Sequence, residues 1–208
     1  MTAARADVWT ALAVAMETAV EAWVGPDSFD DVLTAAQDGD EQAFGRLWRW
    51  AQPALLRWLS VVAPSGGEDV ASEVWVSVIR GLDTFRGGDR EFRAWFFTIA
   101  RRRAVDGARH RQRRPRTVGL DGVDVPQPIE LSEALAGEAA VATAIGLLRS
   151  LRPDQAEVVA LRIIAGLTVP ETAAVVGRSD AAVRLLCHRG LRTLAKHLGR
   201  DLVAEGSA

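Results

Sequence analysis

Between Phe92 and Arg116 the sequence sets aromatic rings directly against arginines. Phe92, Trp95, Phe96 and Phe97 lead into Arg101, Arg102, Arg103, Arg109, Arg111, Arg113 and Arg114. A guanidinium neutralises phosphates and forks onto base edges, and an aromatic ring can stack on an unpaired base. Eight arginines fall between positions 101 and 116 with Asp106 as the one acid among them. Such a run repels itself strongly without a polyanion, so its chemistry is nucleic-acid binding. Arg102, Arg109 and Arg113 stand seven and four residues apart and share one helix face, and Asp106 is expected to pair with Arg102 or Arg103 one turn back. Phe92, Phe96 and Ile99 are expected to serve packing rather than stacking on bases.

A second stretch, LTVPETAAVVGRSDAAVRLLCHRGLRTL, has the layout of a helix-turn-helix: a short helix, a tight turn at Gly177, then a longer helix whose first residues can enter a major groove. Ala173 sits where the two helices must approach closely, and Val183 is placed to lock the second onto a core. An ordinary helical hairpin has the same spacing, so this stretch alone leaves DNA binding open.

Covalent chemistry finds no support. There is no phosphate-cradling G-x-x-x-x-G-K-[ST], no H-E-x-x-H and no convincing Ser/His/Asp or Cys/His arrangement. A single cysteine, Cys187, excludes an internal disulfide, and with His110, His188 and His197 it offers no zinc-type spacing. No enzyme, no cofactor and no metal are therefore expected, and a reducing, cytoplasmic setting fits. The apolar stretch from Val8 to Val24 is interrupted by Glu17 and Glu21 and resembles neither a signal peptide nor a membrane span.

The elements that must position these residues are helices. The net charge of −2 divides unevenly: residues 89–116 carry ten arginines against three acids, whereas residues 117–140 carry five acids and no basic residue. Apolar spacing is helical almost throughout, so the chain reads as all-α, with two small helical domains joined by a flexible linker. Val70, Val74, Val78 and Leu82 form one stripe of a helix ending near Gly81 or at Gly87-Gly88. Phe44, Leu47, Trp48, Leu55, Leu56 and Leu59 give an earlier apolar face, with Pro53 bending or beginning a helix. Residues 1–27 form an N-terminal extension whose Val8, Leu12, Ala15, Ala19 and Trp23 suggest an amphipathic helix. The first domain takes residues 28–114 and an acidic Pro/Gly linker residues 115–132. The helix-turn-helix domain takes residues 133–198, with short helices near Val169–Val176 and Asp180–Leu194, and residues 199–208 are a tail.

In order, SFDDVLTAAQDGDEQAFGRLWRW, GGEDVASEVWVSVIRGLDTFRGG and EFRAWFFTIARRRAVDGARHRQRR look like sigma region 2, and AIGLLRSLRPDQAEVVALRIIAGLTVPETAAVVGRSDAAVRLLCHRGLRTL looks like sigma region 4. Over residues 28–198 the chain resembles the extracytoplasmic-function (group IV) sigma factors of the sigma-70 family. The resemblance implies a promoter-specific initiation factor that binds core RNA polymerase at its clamp coiled coil and flap, recognises minus-35 and minus-10 elements, and melts promoter DNA. By the same match, Glu68, Asp69, Glu73, Trp75 and Arg80 would bind core. Phe85, Arg86, Arg101, Arg102, Arg109 and Arg113 would read and melt the minus-10 element, and Ser179, Arg184, His188 and Arg189 would face the minus-35 element. An anti-sigma factor is a further partner the family admits, and Asp121, Asp124 and Glu130 of the linker could mimic nucleic-acid charge inside the polymerase.

The sequence also departs from the family. Arg102 stands where Asn is usual, and Leu185-Leu186 replace a usual Ser-Arg, which leaves fewer hydrogen-bonding groups for the minus-35 element. Residues 1–27 exceed the family's usual start. Rival readings are a stand-alone helix-turn-helix regulator that needs no core polymerase, a nucleic-acid-processing enzyme, and a sigma-like protein that acts mainly through protein contacts.

Overall fold

The structure is a computed structural model that describes residues 27–113 and 133–205, with side chains to residue 111 in the first segment and over 139–197 in the second. The expected N-terminal helix and the acidic linker lie outside the described residues. The described residues form eight helices and no strand.

The first four helices are α1 (Phe29–Gln37), α2 (Glu41–Val62), α3 (Gly67–Leu82) and α4 (Asp89–Arg113). Ser28 caps α1 by accepting the Asp31 N–H at 3.2 Å. Asp40 caps α2 through the N–H groups of Gln42 and Ala43, at 2.7 and 3.0 Å, and these bonds hold its carboxyl below the usual aspartate range. Helix α2 runs through Pro53 instead of beginning there. Four consecutive Val and Leu positions of the predicted stripe, Val70, Val74, Val78 and Leu82, are all buried. They face a ring cluster in which Phe92 and Phe96 of α4 meet Phe29 and Trp75, with centroids 5.6 and 5.1 Å apart. Trp58 and Phe97 pack edge to face at 5.8 Å beneath them. The expected apolar face of α2 is narrower than its composition suggests, because Trp48 and Leu56 point outward and remain exposed.

The second group comprises α5 (Glu133–Arg149), α6 (Pro153–Ile163), α7 (Val169–Val176) and α8 (Asp180–Glu205). Pro153 opens α6, where a missing N–H costs nothing. Thr168 and Glu171 form a reciprocal capping box on α7, and Gly177 ends that helix in the left-handed region at φ 65°. Ser179 then accepts the Ala182 N–H at 3.3 Å to start α8, which continues well past Leu194. Val183 and Leu194 anchor α8 in a core with Leu148, Val159, Leu161 and Leu167. Gly190 permits the crossing of α8 over α6, since a Cβ there would lie 2.9 Å from Val159 Cγ2.

The two groups lie against each other: α5 and α6 pack on α2, and α7 packs on α4. Their buried side chains form one continuous apolar core.

Candidate nucleic-acid interface

Helix α4 carries two different surfaces along its length. Its first half, through Phe97 and Ala100, is sunk in the core, and its second half bears the arginines. Arg102 and Arg109 are exposed; Arg102 has no polar partner among the described residues, while Arg109 reaches Asp106 at 3.8 Å. Asp106 therefore turns forward to Arg109, not back to Arg102 or Arg103 as expected. Arg103 is tied to α3 by a bond from Nε to Ser77 Oγ at 2.9 Å. Arg111, also exposed, lies over Gly66 and Gly107, on the side of α4 that faces α3 and away from Arg102 and Arg109. The side chain of Arg113 lies outside the described residues.

Arg101 stands apart from that face. Its Nε meets Glu157 Oε1 of α6 at 2.8 Å, so in this arrangement it holds the two domains together. Arg90 makes a second bridge, to Glu171 of α7 at 2.6 Å, and Arg149 donates to the Ser60 carbonyl at 2.7 Å. Burial pushes the Glu171 carboxyl up, but hydrogen bonds from Thr168 and Arg90 outweigh it and leave the group below the usual glutamate range. Val175 of α7 closes one side of a shallow hollow whose other walls are Thr98, Arg101, Arg102, Val105, Asp106 and Arg109. The helix-turn-helix domain thus covers part of the arginine face.

The loop before α4 is built more tightly than its sequence suggests. Phe85 is buried against Phe92 and Trp95, with centroids 5.5 and 5.0 Å away. Arg86 folds back to donate to the carbonyls of Asp83 and Phe85, and Gln37 of α1 donates to the carbonyls of Leu82 and Phe85. Phe85 and Arg86 therefore shape the loop here instead of projecting from it.

On α3, Glu68, Asp69, Glu73 and Arg80 are exposed along the outer face, whereas Trp75 is buried with its Nε1 donating to Gln52 at 2.6 Å. Val76 and Ile79 are exposed beside the acids, and with Trp48 and Leu56 of α2 they account for the large exposed apolar side chains of this domain. Sequence reasoning passed over Val76 and Ile79, although both are apolar residues off the Val70/Val74/Val78 stripe, which is the signal that would have found them.

The outward face of α8 presents Ala181, Arg184, Leu185, His188, Arg189 and Arg192, with Arg178 and Ser179 in the turn before it. All four residues expected at the minus-35 element, Ser179, Arg184, His188 and Arg189, are exposed together. Arg184 leans on Asp180 at 3.5 Å. The two leucines separate: Leu186 is 9% exposed and belongs to the core, while Leu185 is 47% exposed and belongs to the face. Cys187, beside His188, is half-buried, and burial pushes its thiol up. Among the described residues no three His, Cys, Asp or Glu side chains come together as a metal site, and no helix is long and apolar enough to cross a membrane.

Residues 47–114 match the sigma-70 region 2 family and residues 144–194 the sigma-70 region 4 family. The chain is 35% identical over 178 residues to the ECF RNA polymerase sigma factor BldN of Streptomyces coelicolor, covering 82% of this chain and 66% of that one. It is 32% identical to the ECF sigma factor ShbA of Streptomyces griseus, covering 76% and 89%, and 30% identical to SigD of Mycobacterium tuberculosis, covering 86% of each. Among solved structures it is similar to CnrH in complex with the cytosolic domain of CnrY, at 28% identity and a TM-score of 0.57, over 84% of this chain and 99% of CnrH.

Proposed function

Because the chain belongs to the ECF RNA polymerase sigma factors of the sigma-70 family, and so is a promoter-specific transcription initiation factor, we propose the following division of labour among its surfaces. The exposed side of α3, with Glu68, Asp69, Glu73 and Arg80 around Val76 and Ile79, docks on the clamp coiled coil of core polymerase. Trp75 supports that face from beneath through its bond to Gln52. Arg102, Arg109 and Arg113 of α4 hold the minus-10 element by its phosphates and favour its open form. Phe85 and Arg86 position the loop that would receive a splayed base, and Arg101 joins the DNA surface when it parts from Glu157. Ser179, Arg184, His188 and Arg189 of α8 seat the second domain on the minus-35 element.

The domain bounds that go with this reading are 28–114 for minus-10 and core contacts, 115–132 for the linker and 133–198 for minus-35 contacts. The protein acts in the cytoplasm, where the polymerase is. CnrH is held by the cytosolic domain of CnrY, and a protein partner of the same kind, an anti-sigma factor, would compete with core for α3. The observation that carries the reading is the pairing of two exposed cationic faces, on α4 and α8, in two domains whose chain order is that of regions 2 and 4. A stand-alone helix-turn-helix regulator would leave α3 and α4 without a purpose.

Run-off transcription from pooled genomic promoter fragments, with core polymerase and this protein, tests the reading. Discrete new transcripts are expected, and Arg102→Ala/Arg109→Ala should lose them while still binding core. Failure of the wild-type chain to bind core polymerase would overturn it.

A further inference from the structure

We infer that Leu185 is a base-reading residue of α8, and that it reads the C5-methyl group of a thymine in the upstream promoter element. The inference rests on the proposal that α8 enters the major groove there. Leu185 is the large apolar side chain of the second domain that stays exposed among the described residues, while its neighbour Leu186 is taken up by the core. It stands at the middle of the outward stripe, one turn after Ala181 and one turn before Arg189, with Arg184 and His188 beside it. The flanking cations suit the phosphates on either side of a groove, and the apolar centre faces what lies between them.

That centre is held at a defined point. The Ser179 cap fixes the start of α8, Val183 is fully buried two residues before Leu185, and Gly190 fits against Val159. The helix axis is therefore set by the core on both sides of Leu185. In the major groove each base pair shows hydrogen-bonding groups, but among the four bases only thymine adds a methyl. A leucine gains by covering that methyl. Against any other base it covers donors or acceptors without replacing their water, which is unfavourable. The side chain thus attracts thymine and rejects its competitors at one position, and the departure of this helix from a polar reading residue becomes a change of preferred base.

The test uses the full chain bound to core polymerase and a promoter recovered in the run-off experiment, with its upstream element randomised and reselected. Each thymine of the selected element is then replaced singly by deoxyuridine, which removes the methyl alone. At one position deoxyuridine should weaken binding about fourfold, the value of one buried methyl. Leu185→Ala should lose a similar factor on the thymine duplex and should no longer distinguish thymine from deoxyuridine. Equal binding of thymine and deoxyuridine at every position overturns the inference, as does a methyl effect that survives in Leu185→Ala. If selection yields an upstream element that Arg184→Ala/Arg189→Ala abolishes but no methyl dependence, the inference alone fails. If no upstream sequence is selected at all, the assignment of α8 to that element fails with it.

Discussion

Leu185 and Leu186 are adjacent and chemically identical, and the fold gives them opposite duties. Leu186 is almost fully covered, so Leu186→Ala should leave a cavity and lower unfolding free energy by about 2 to 3 kcal/mol in chemical denaturation. Leu185→Ala should leave stability nearly unchanged, and equal losses for the two would contradict their separation. The sequence alone shows both as one departure from a polar pattern. Only the phase of α8, set by Val183 and Leu194, tells which leucine is spent on the core. Asp106 was hidden for a related reason: arginines stand three residues ahead of it and three and four behind, and spacing alone does not choose among them. The burial of Phe85 was hidden because loop residues carry no period to read.

At the level of elements, much was written in the chain. The stripe at Val70, Val74, Val78 and Leu82 gave α3 its core face, and Gly177 marked the turn between α7 and α8. Helix α7 is only eight residues long and depends on its ends. Thr168→Ala, which removes half of its capping box, should cost about 1 kcal/mol. The same box makes the element acid-sensitive. Glu171 has a lowered pKa in the folded chain, so its contribution is complete above the ordinary glutamate range and is lost as pH falls through the lowered value. Acid titration followed by amide hydrogen exchange should show α7 loosening in that lower range, and Glu171→Gln should flatten that dependence. The reach of α8 beyond Leu194 was not anticipated, because its mixed Ala, Lys and His composition carries no clear stripe.

For the whole molecule, the contact between domains decides which arginines are available. Nothing in the local sequence around Glu157 and Glu171 says that they meet Arg101 and Arg90. We propose that binding two promoter elements on one duplex parts these bridges. Glu157→Gln should therefore favour the open arrangement and raise binding of promoter duplex by the isolated chain about threefold at low salt, in keeping with a partly exposed ion pair. Fluorophore pairs placed on α2 and α6 should report a longer mean distance; an unchanged distance and affinity would mean the bridge holds nothing. We propose that the exposed arginines of α4 hold the promoter open, and permanganate reactivity of unpaired thymines reports whether they do. With core polymerase and the wild-type chain, thymines of the minus-10 element should become reactive, and with Arg102→Ala/Arg109→Ala that reactivity should vanish although core binding persists. Full reactivity with the variant would mean that these arginines do not hold the promoter open.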